Sequence, residues 1–306
     1  MKIVFMGSPD FALPPLKAVH DKHDVKLVVT KPDKPKGRGK SLAMPAVKEA
    51  ALQMGLSVSQ PKSVKTDEFL NEIKSTGADI GIVVAYGKII PLAVLEAFPL
   101  GCLNIHGSLL PRHRGAAPIQ WAVLSGDSKT GVSIMQLDEG MDTGPVFLKK
   151  EIPIGEATTA GQLFDELAPL GALALVEALE GIEAGRLTAT PQDESAATHA
   201  RMLKKSDGEL NLDSPAQDVS QKIRGLDPWP GAFLKTEKGS LKVFGGVLAQ
   251  QEGRPGEILE IVGDGVVVGC QSKSVFIKEL QAPGKKRLPA KVYVQGQRLK
   301  VGESLV

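Results

Sequence analysis

Short apolar runs alternate with amphipathic stretches over the first half of the chain, and this alternation constrains the fold most strongly. Runs such as Lys2–Phe5, Val25–Val29 and Ile80–Val84 have the composition of buried strands. Helical periodicity between them, as in Ala46–Gln53, favours β-α units that build a parallel sheet. We predict an α/β fold whose N-terminal part is a Rossmann-like, mostly parallel sheet with helices on both faces. In such sheets, ligands bind beyond the carboxyl ends of the strands.

The second half of the chain has a different sequence pattern. Thr159–Gly185 has the pattern of a long helix, which Pro169 and Gly171 are expected to kink or split. Thr190–Thr198 is polar and has the composition of a linker. After Pro228, brief strand-like runs punctuated by glycine are typical of a small β-barrel, here an OB-like C-terminal domain. We predict a first domain at 1–189, a linker at 190–206 and a barrel domain at 207–306.

Composition bounds the possible functions. The formal net charge is +2, and 42% of the residues are hydrophobic, as expected for a chain with soluble cores. No run is long and apolar enough to span a bilayer, and Lys2–Met6 enters a strand without a signal-peptide pattern. The two cysteines, Cys102 and Cys270, lack metal-ligand spacing. We predict a cytoplasmic protein with no membrane association and no metal.

One strand end concentrates chemically useful side chains. In Asn104-Ile-His106-Gly-Ser108 the alternation of a strand turns Asn104 and His106 to the same face, while Ile105 enters the core. Gly107 and Pro111 end the strand in a turn that a substrate can approach. An amide donor beside an imidazole provides an oxyanion ligand and a proton acceptor, which are components of acyl transfer.

A carboxylate is expected from a separate glycine-rich loop, Gly140-Met-Asp142-Thr-Gly144. An acid there could orient the imidazole of His106 and fix its tautomer. Asp138 and Glu139 are competitors within the same loop, and an aspartate in such a segment is often a turn former. The residues alone leave the choice among these carboxylates open.

A basic segment lies near the N-terminus. Lys31–Lys40 carries five cations and one anion among prolines and glycines, so we expect it to be irregular. A solvated loop and a contact with a phosphate backbone both fit this composition. From His199 onward the chain has 17 Lys and Arg against 12 Asp and Glu, a weak indication of nucleic-acid binding.

The stretches from Asn104 to Ile119 and from Thr130 to Gly144 resemble the signature of formyltransferases that use 10-formyltetrahydrofolate. The resemblance covers nearly the whole chain and is strongest between residues 104 and 144. It implies transfer of a formyl group from this folate. Asn104, His106 and Asp142 then form the catalytic set, and the resemblance selects Asp142 over the other acids.

The resemblance also implies how substrates are held. The predicted folate-binding residues are two segments at strand ends: Ser108, Leu109, Leu110 and Pro111, with Tyr86 and Gly87. The basic loop, the Arg112–Gln120 run and the barrel together resemble the branch of the family that acts on methionyl initiator tRNA, in translation initiation. The predicted tRNA contacts are Lys36, Arg38, Lys40, Arg112 and Arg114. Arg38 is the strongest candidate for a direct contact, because its planar fork suits phosphate or base edges.

Two alternatives remain at this stage. A formyltransferase for a small amine, such as a nucleotide sugar or purine precursor, or a formyl-folate hydrolase would keep Asn104, His106 and Asp142 but would have little use for the basic loop. A non-catalytic RNA-binding protein would have no need of those three side chains. The chain is expected to act as a monomer.

Overall fold

The computed structural model describes residues 1–36 and 41–306. The helices are α1 (Leu13–Lys22), α2 (Ala46–Gln53), α3 (Asp67–Ser75), α4 (Leu92–Leu95), α5 (Pro118–Leu124), α6 (Ala160–Glu183), α7 (Ala216–Gly225) and α8 (Ala290–Gly296). Strands β1–β10 are Lys2–Gly7, Asp24–Val29, Lys34–Lys36, Ser41–Ala43, Val58–Ser59, Ile80–Val84, Cys102–His106, Arg114–Gly115, Lys129–Gln136 and Val146–Pro153. Strands β11–β17 are His199–Ala200, Ala232–Thr236, Gly239–Ala249, Ile258–Val262, Gly265–Gly269, Ser274–Gln281 and Leu288–Pro289.

Among the described residues, the N-terminal part contains a seven-stranded sheet in the order β10-β9-β7-β6-β1-β2-β5. The pairs β1–β2, β1–β6, β2–β5 and β6–β7 are parallel, whereas β7 and β9 are antiparallel. The predicted mostly parallel α/β fold is therefore confirmed. Because the chain leaves β1 toward β2 on one side and returns to β6 on the other, the strand order reverses there, and such a reversal opens a ligand crevice.

Local sequence explains where the helices begin. Thr66 accepts a hydrogen bond from the Phe69 N–H at 3.3 Å and caps α3, whose first turn carries Asp67 and Glu68. These acids favour the positive end of the helix dipole. Helix α5 begins at Pro118, a residue that suits the first helical turn.

Helix α6 is continuous over Ala160–Glu183, although Pro169 lies inside it. The predicted split at Pro169 and Gly171 is therefore wrong, and the predicted kink stays a prediction. Pro169 and Asp165 are both exposed, so the carbonyl that loses its helical partner can bond to water. A Cβ on Gly171 would lie 2.9 Å from Cγ2 of Ile105, so glycine at this position allows α6 to approach β7.

The C-terminal part is a small β-barrel of antiparallel strands in the order β12-β13-β16-β15-β14, with β17 beside β16. Its core includes Val243, Val266, Ile277 and Ile223, the last of these from α7. The predicted barrel domain is confirmed. Neither β17 nor α8 was among the predicted elements.

The chain divides into two compact units that interleave in sequence. One comprises Met1–Gly115, Gly131–Ile152 and Phe164–His199, and the other comprises Ala116–Thr130, Pro153–Leu163 and Ala200–Val306. The predicted linear limits at 1–189, 190–206 and 207–306 stay a prediction. In the described residues, no helix is both long and apolar enough to cross a membrane.

Candidate active site

Strand β7 carries two of the three proposed catalytic residues. It pairs with β6 on one side and β9 on the other, where Asn104 lies opposite Met135 and His106 opposite Ser133. Ile105 between them is 4% exposed and belongs to the core, as the alternation of the strand requires. His106 is buried and Asn104 is half-buried, so the amide can still meet a ligand at the strand end.

The imidazole of His106 has a partner on each side of the ring. Nε2 lies 2.9 Å from the carbonyl oxygen of His113. A carbonyl only accepts, so Nε2 must carry the hydrogen and donate. Nδ1 lies 3.6 Å from Oδ2 of Asp142, within ion-pair range but too far for a hydrogen bond. In neutral His106, Nδ1 is therefore the basic nitrogen, and it faces the carboxylate.

The tautomer of His106 is set by the His113 carbonyl and not, as predicted, by Asp142. The His113 carbonyl makes the shorter contact and fixes the hydrogen on Nε2. Asp142 is instead placed to stabilise a proton arriving at Nδ1. Backbone carbonyls have no signature in a sequence, so this role of His113 could not be predicted.

Asp142 is held in an unusual backbone conformation. Its φ is +57°, a left-handed value that aspartate tolerates better than most residues. Its Oδ2 accepts a hydrogen bond from the Gly115 N–H at 2.8 Å. The competing acid Asp138 is exposed and accepts hydrogen bonds from Thr143 Oγ1 and the Gly140 N–H, so it shapes the loop. Asp142 is thus the acid of this loop that faces His106.

Ser133 stabilises the turn that is predicted to bind folate. The Ser133 hydroxyl donates to the Ser108 carbonyl at 2.7 Å and accepts from the Leu110 N–H at 3.1 Å. Ser108 and Leu110 are each 1% exposed, so their side chains support the turn from inside. Leu109 and Pro111 are half-buried and remain the more accessible members of the predicted set.

The segment Ala85-Tyr86-Gly87 follows β6 at the same edge of the sheet. Tyr86 is 1% exposed and belongs to the core, where burial raises the pKa of its phenol to about 12. The ring of Tyr86 is therefore not open to a ligand, contrary to its place in the predicted folate-binding set. Ala85 and Gly87 are exposed with φ of +47° and +67°, so the backbone is the accessible part.

The predicted tRNA contacts fall into three groups. Arg112 is exposed. Arg114 is buried and bound by Glu194 and Gln192, so its guanidinium is engaged inside the protein rather than presented to a phosphate. Arg38, Lys40 and the side chain of Lys36 lie outside the described residues. The expectation that the basic segment is irregular is wrong in part, because Lys34–Lys36 pairs with Ser41–Ala43 as two short strands.

A polar network between residues 190 and 198 was not predicted from the sequence. Gln192 and Glu194, which lie in the predicted linker, both contact Arg114, and Gln192 also contacts the backbone of the Asp142 loop. The one signal in the sequence was the presence of a glutamine and a glutamate that can pair with an arginine. Composition alone does not reveal that Arg114, distant in sequence, is their partner. The described residues contain no group of three potential metal ligands.

The fold and the site together define the class of protein. An α/β domain brings an amide, an imidazole and a carboxylate to one strand end, and a small β-barrel follows it in the chain. The chain belongs to the formyl transferase family. Residues 1–179 match the family described as formyl transferase, and residues 202–298 match its C-terminal domain.

Relatives that are similar to this chain over nearly their full length are named methionyl-tRNA formyltransferase. A methionyl-tRNA formyltransferase of Desulfotalea psychrophila is 46% identical over 302 residues, covering 98% of this chain and 94% of the relative. Another from Acetivibrio thermocellus is 46% identical over 309 residues, covering 100% and 99%. The similarity therefore extends through both domains.

Solved structures share the fold at low identity. An N-formyltransferase from Helicobacter canadensis, solved with folinic acid and dTDP-3-aminofucose, has a TM-score of 0.67 and 16% identity, covering 90% of this chain and 98% of that one. HypX from Aquifex aeolicus, solved with tetrahydrofolic acid, has a TM-score of 0.65 and 20% identity, covering 98% and 48%. These likenesses establish the architecture of the chain.

Proposed function

We propose that this protein transfers the formyl group of 10-formyltetrahydrofolate to the amino group of methionyl initiator tRNA. The observation that carries the proposal is the His106 imidazole, whose Nδ1 faces Asp142 at 3.6 Å while Nε2 is bound to the His113 carbonyl. The full-length similarity to methionyl-tRNA formyltransferases supports this acceptor over a small amine.

The reaction requires a proton acceptor and a donor to the oxyanion. The methionyl nitrogen attacks the formyl carbon, an N–C bond forms, and the carbonyl electrons move to oxygen. When the tetrahedral intermediate collapses, the C=O bond reforms and the bond from carbon to folate N10 breaks. The attacking nitrogen loses a proton, and the leaving nitrogen gains one. An α-amino group titrates near about 7.7–8.0, so a neutral nucleophile is available at neutral pH.

The side chains at the end of β7 fit these demands. Asn104 donates to the developing oxyanion, where one such hydrogen bond contributes about 2.7–4 kcal/mol to transition-state stability. His106 accepts the amine proton at Nδ1, because Nε2 is committed to the His113 carbonyl. Asp142 stabilises the imidazolium that results until His106 passes the proton to the leaving nitrogen.

Substrate binding is assigned to the neighbouring loops. The accessible backbone at Ala85 and Gly87, with Leu109 and Pro111, is proposed to receive the folate beside the catalytic strand end. Apolar side chains with a few backbone polar groups suit a pterin ring. The basic segment with Arg38 and the exposed Arg112 are proposed to contact the tRNA, with the protein acting as a monomer.

The acceptor can be tested directly. Purified protein is incubated with 10-formyltetrahydrofolate and with methionyl initiator tRNA, a nucleotide-linked amino sugar, a purine-precursor amine, or buffer alone. We expect formylated methionyl-tRNA as the main product, with much slower consumption of the folate in the other mixtures. Rapid formylation of a small amine, or folate hydrolysis at the same rate without acceptor, would overturn the proposal.

A further inference from the structure

The segment Thr190–Thr198 is hydrogen-bonded at both ends to backbone next to the proposed active site. Thr190 pairs with Val146 through two backbone hydrogen bonds of 2.8 and 2.9 Å, just beyond the Asp142 loop. Thr198 accepts from the Arg114 N–H at 2.8 Å, and its hydroxyl accepts from the His113 N–H at 2.8 Å. The segment therefore links the loop that carries the acid to the turn that follows the catalytic strand.

Gln192 makes the central contacts of this segment. Its Nε2 donates to the carbonyls of Asp142 at 2.8 Å and Gly144 at 2.7 Å. Its Oε1 accepts from Arg114 Nε at 3.1 Å and Nη2 at 2.9 Å. Both amide hydrogens and the amide oxygen are thus used, and the orientation of the amide is fixed by partners that can only accept or only donate.

Arg114 and Glu194 orient Gln192 in turn. Arg114 donates to the two carboxylate oxygens of Glu194 at 2.8 and 2.7 Å while its own side chain is 3% exposed. A bidentate pair of this kind holds the guanidinium plane rigidly. Arg114 also precedes Gly115, whose N–H binds Oδ2 of Asp142, so the same residue is tied to the catalytic acid by its backbone.

This arrangement controls both neighbours of the His106 ring. The His113 carbonyl, which fixes Nε2, belongs to a residue whose N–H is held by Thr198. The Asp142 carboxylate, which faces Nδ1, belongs to a left-handed residue whose carbonyl is held by Gln192. Left-handed backbone at a residue other than glycine is strained, so it persists where surrounding contacts hold it.

We propose that Gln192, oriented by Arg114 and Glu194, is a positioning residue that sets the distance between Asp142 and His106 during formyl transfer. The inference rests on the proposed function of the His106 site, and it assigns a role to Gln192 and Glu194, which lie between the two segments matched by the family. Gln192 acts through the Asp142 loop and does not touch the reacting atoms.

The first test uses Gln192→Glu. A glutamate has nearly the same shape and can still accept from Arg114, but it cannot donate to the carbonyls of Asp142 and Gly144. We expect kcat to fall roughly 10- to 100-fold, since small misplacements of catalytic groups have costs of this size. KM for folate and tRNA should stay within about twofold. The control is Ser195→Ala, because the Ser195 hydroxyl lies in the same segment and donates to Asp193 rather than to the Asp142 loop.

A double-mutant cycle tests the orienting role of Arg114. Arg114→Met removes the partner of Gln192 Oε1 and leaves Glu194 exposed to water. We expect Arg114→Met to lower kcat as Gln192→Glu does, and the double variant to lose little more than either single variant, because both changes release the same loop. Fully additive losses, or wild-type kcat in the folded Gln192→Glu variant, would overturn the proposal.

A spectroscopic readout separates this inference from the proposed function. Nitrogen-15 NMR of the His106 ring reports which nitrogen carries the hydrogen and how Nδ1 is surrounded, without any substrate. We expect the Nδ1 resonance to move in Gln192→Glu and to stay in place in Ser195→Ala. An unchanged resonance in the folded Gln192→Glu variant contradicts the positioning role even if the acceptor is methionyl-tRNA. If the acceptor proves to be another amine, the shifted resonance and the kcat loss with that amine still support it.

Discussion

His106 donates from Nε2 to the His113 carbonyl at 2.9 Å, which leaves Nδ1 beside the Asp142 carboxylate at 3.6 Å. At the scale of single residues, this division of the two nitrogens leaves Nδ1 as the atom that would accept the proton in the proposed reaction. A proton arriving at Nδ1 meets a negative charge in a largely buried site, where electrostatic stabilisation is stronger than in water.

This geometry predicts the effect of replacing Asp142. Asp142→Asn keeps the size of the side chain and an oxygen for the Gly115 N–H but removes the charge. We expect kcat to fall about 100-fold or more, in the range of general acid–base effects, with folate and tRNA KM little changed. Steady-state kinetics would measure this.

The matched control is Asp138→Asn in the same loop. Asp138 is exposed, and its contacts are with Thr143 and Gly140. Its asparagine variant should keep kcat within about threefold of the wild type. Equal losses from both variants would show that the charge of the loop as a whole, rather than the position of Asp142, is what matters.

At the scale of elements, the sequence predicted regular pieces well. Helix α2 and strand β6 lie at the predicted bounds, because each has a clear apolar pattern and Pro45 marks the start of α2. The continuity of α6 was missed, since the cost of Pro169 depends on whether its face meets water. The network at residues 190–198 was missed because its partners are carbonyls and an arginine from remote parts of the chain.

The close approach of α6 to β7 gives a stability prediction. In Gly171→Ala the new Cβ would lie 2.9 Å from Ile105 Cγ2, whereas Gly296 in α8 has no atom within 4 Å of such a Cβ. Each change gains up to about 1 kcal/mol of helix propensity. Overpacking costs about 1–3 kcal/mol, so Gly171→Ala should be less stable than Gly296→Ala by about that amount. Urea unfolding checks this, and equal stabilities would refute the close packing.

The short turn at Lys205–Gly208 gives a pH prediction. Two hydrogen bonds from Arg201 and one from the Lys204 N–H lower the pKa of Asp207 to about 2. A depressed pKa stabilises the fold above the ordinary value of 3.8 and ceases to do so as the pH falls through about 2. The stability difference between wild type and Asp207→Asn should be constant near neutral pH and vanish in strong acid. A difference that does not change between pH 5 and pH 2 would contradict it.

At the scale of the whole molecule, charge outside the catalytic strand end is proposed to serve the tRNA. Arg38→Ala should weaken methionyl-tRNA use while folate KM stays unchanged, and the salt dependence of apparent tRNA affinity should become shallower by about one unit of log–log slope if one phosphate contact is lost. Arg38→Lys is the control, because it keeps the charge without the planar fork. An unchanged tRNA KM in Arg38→Ala would remove the loop from the interface.

The proposed convergence of Asn104, His106 and Asp142 on one formyl carbon is tested most directly by single-turnover transfer of labelled formyl to methionyl initiator tRNA. Wild-type protein and Asn104→Ala are compared under saturating folate and tRNA. Loss of one oxyanion donor should slow the transfer step about 10²- to 10³-fold without preventing binding of either substrate. A transfer rate for Asn104→Ala within a few-fold of wild type would contradict the account.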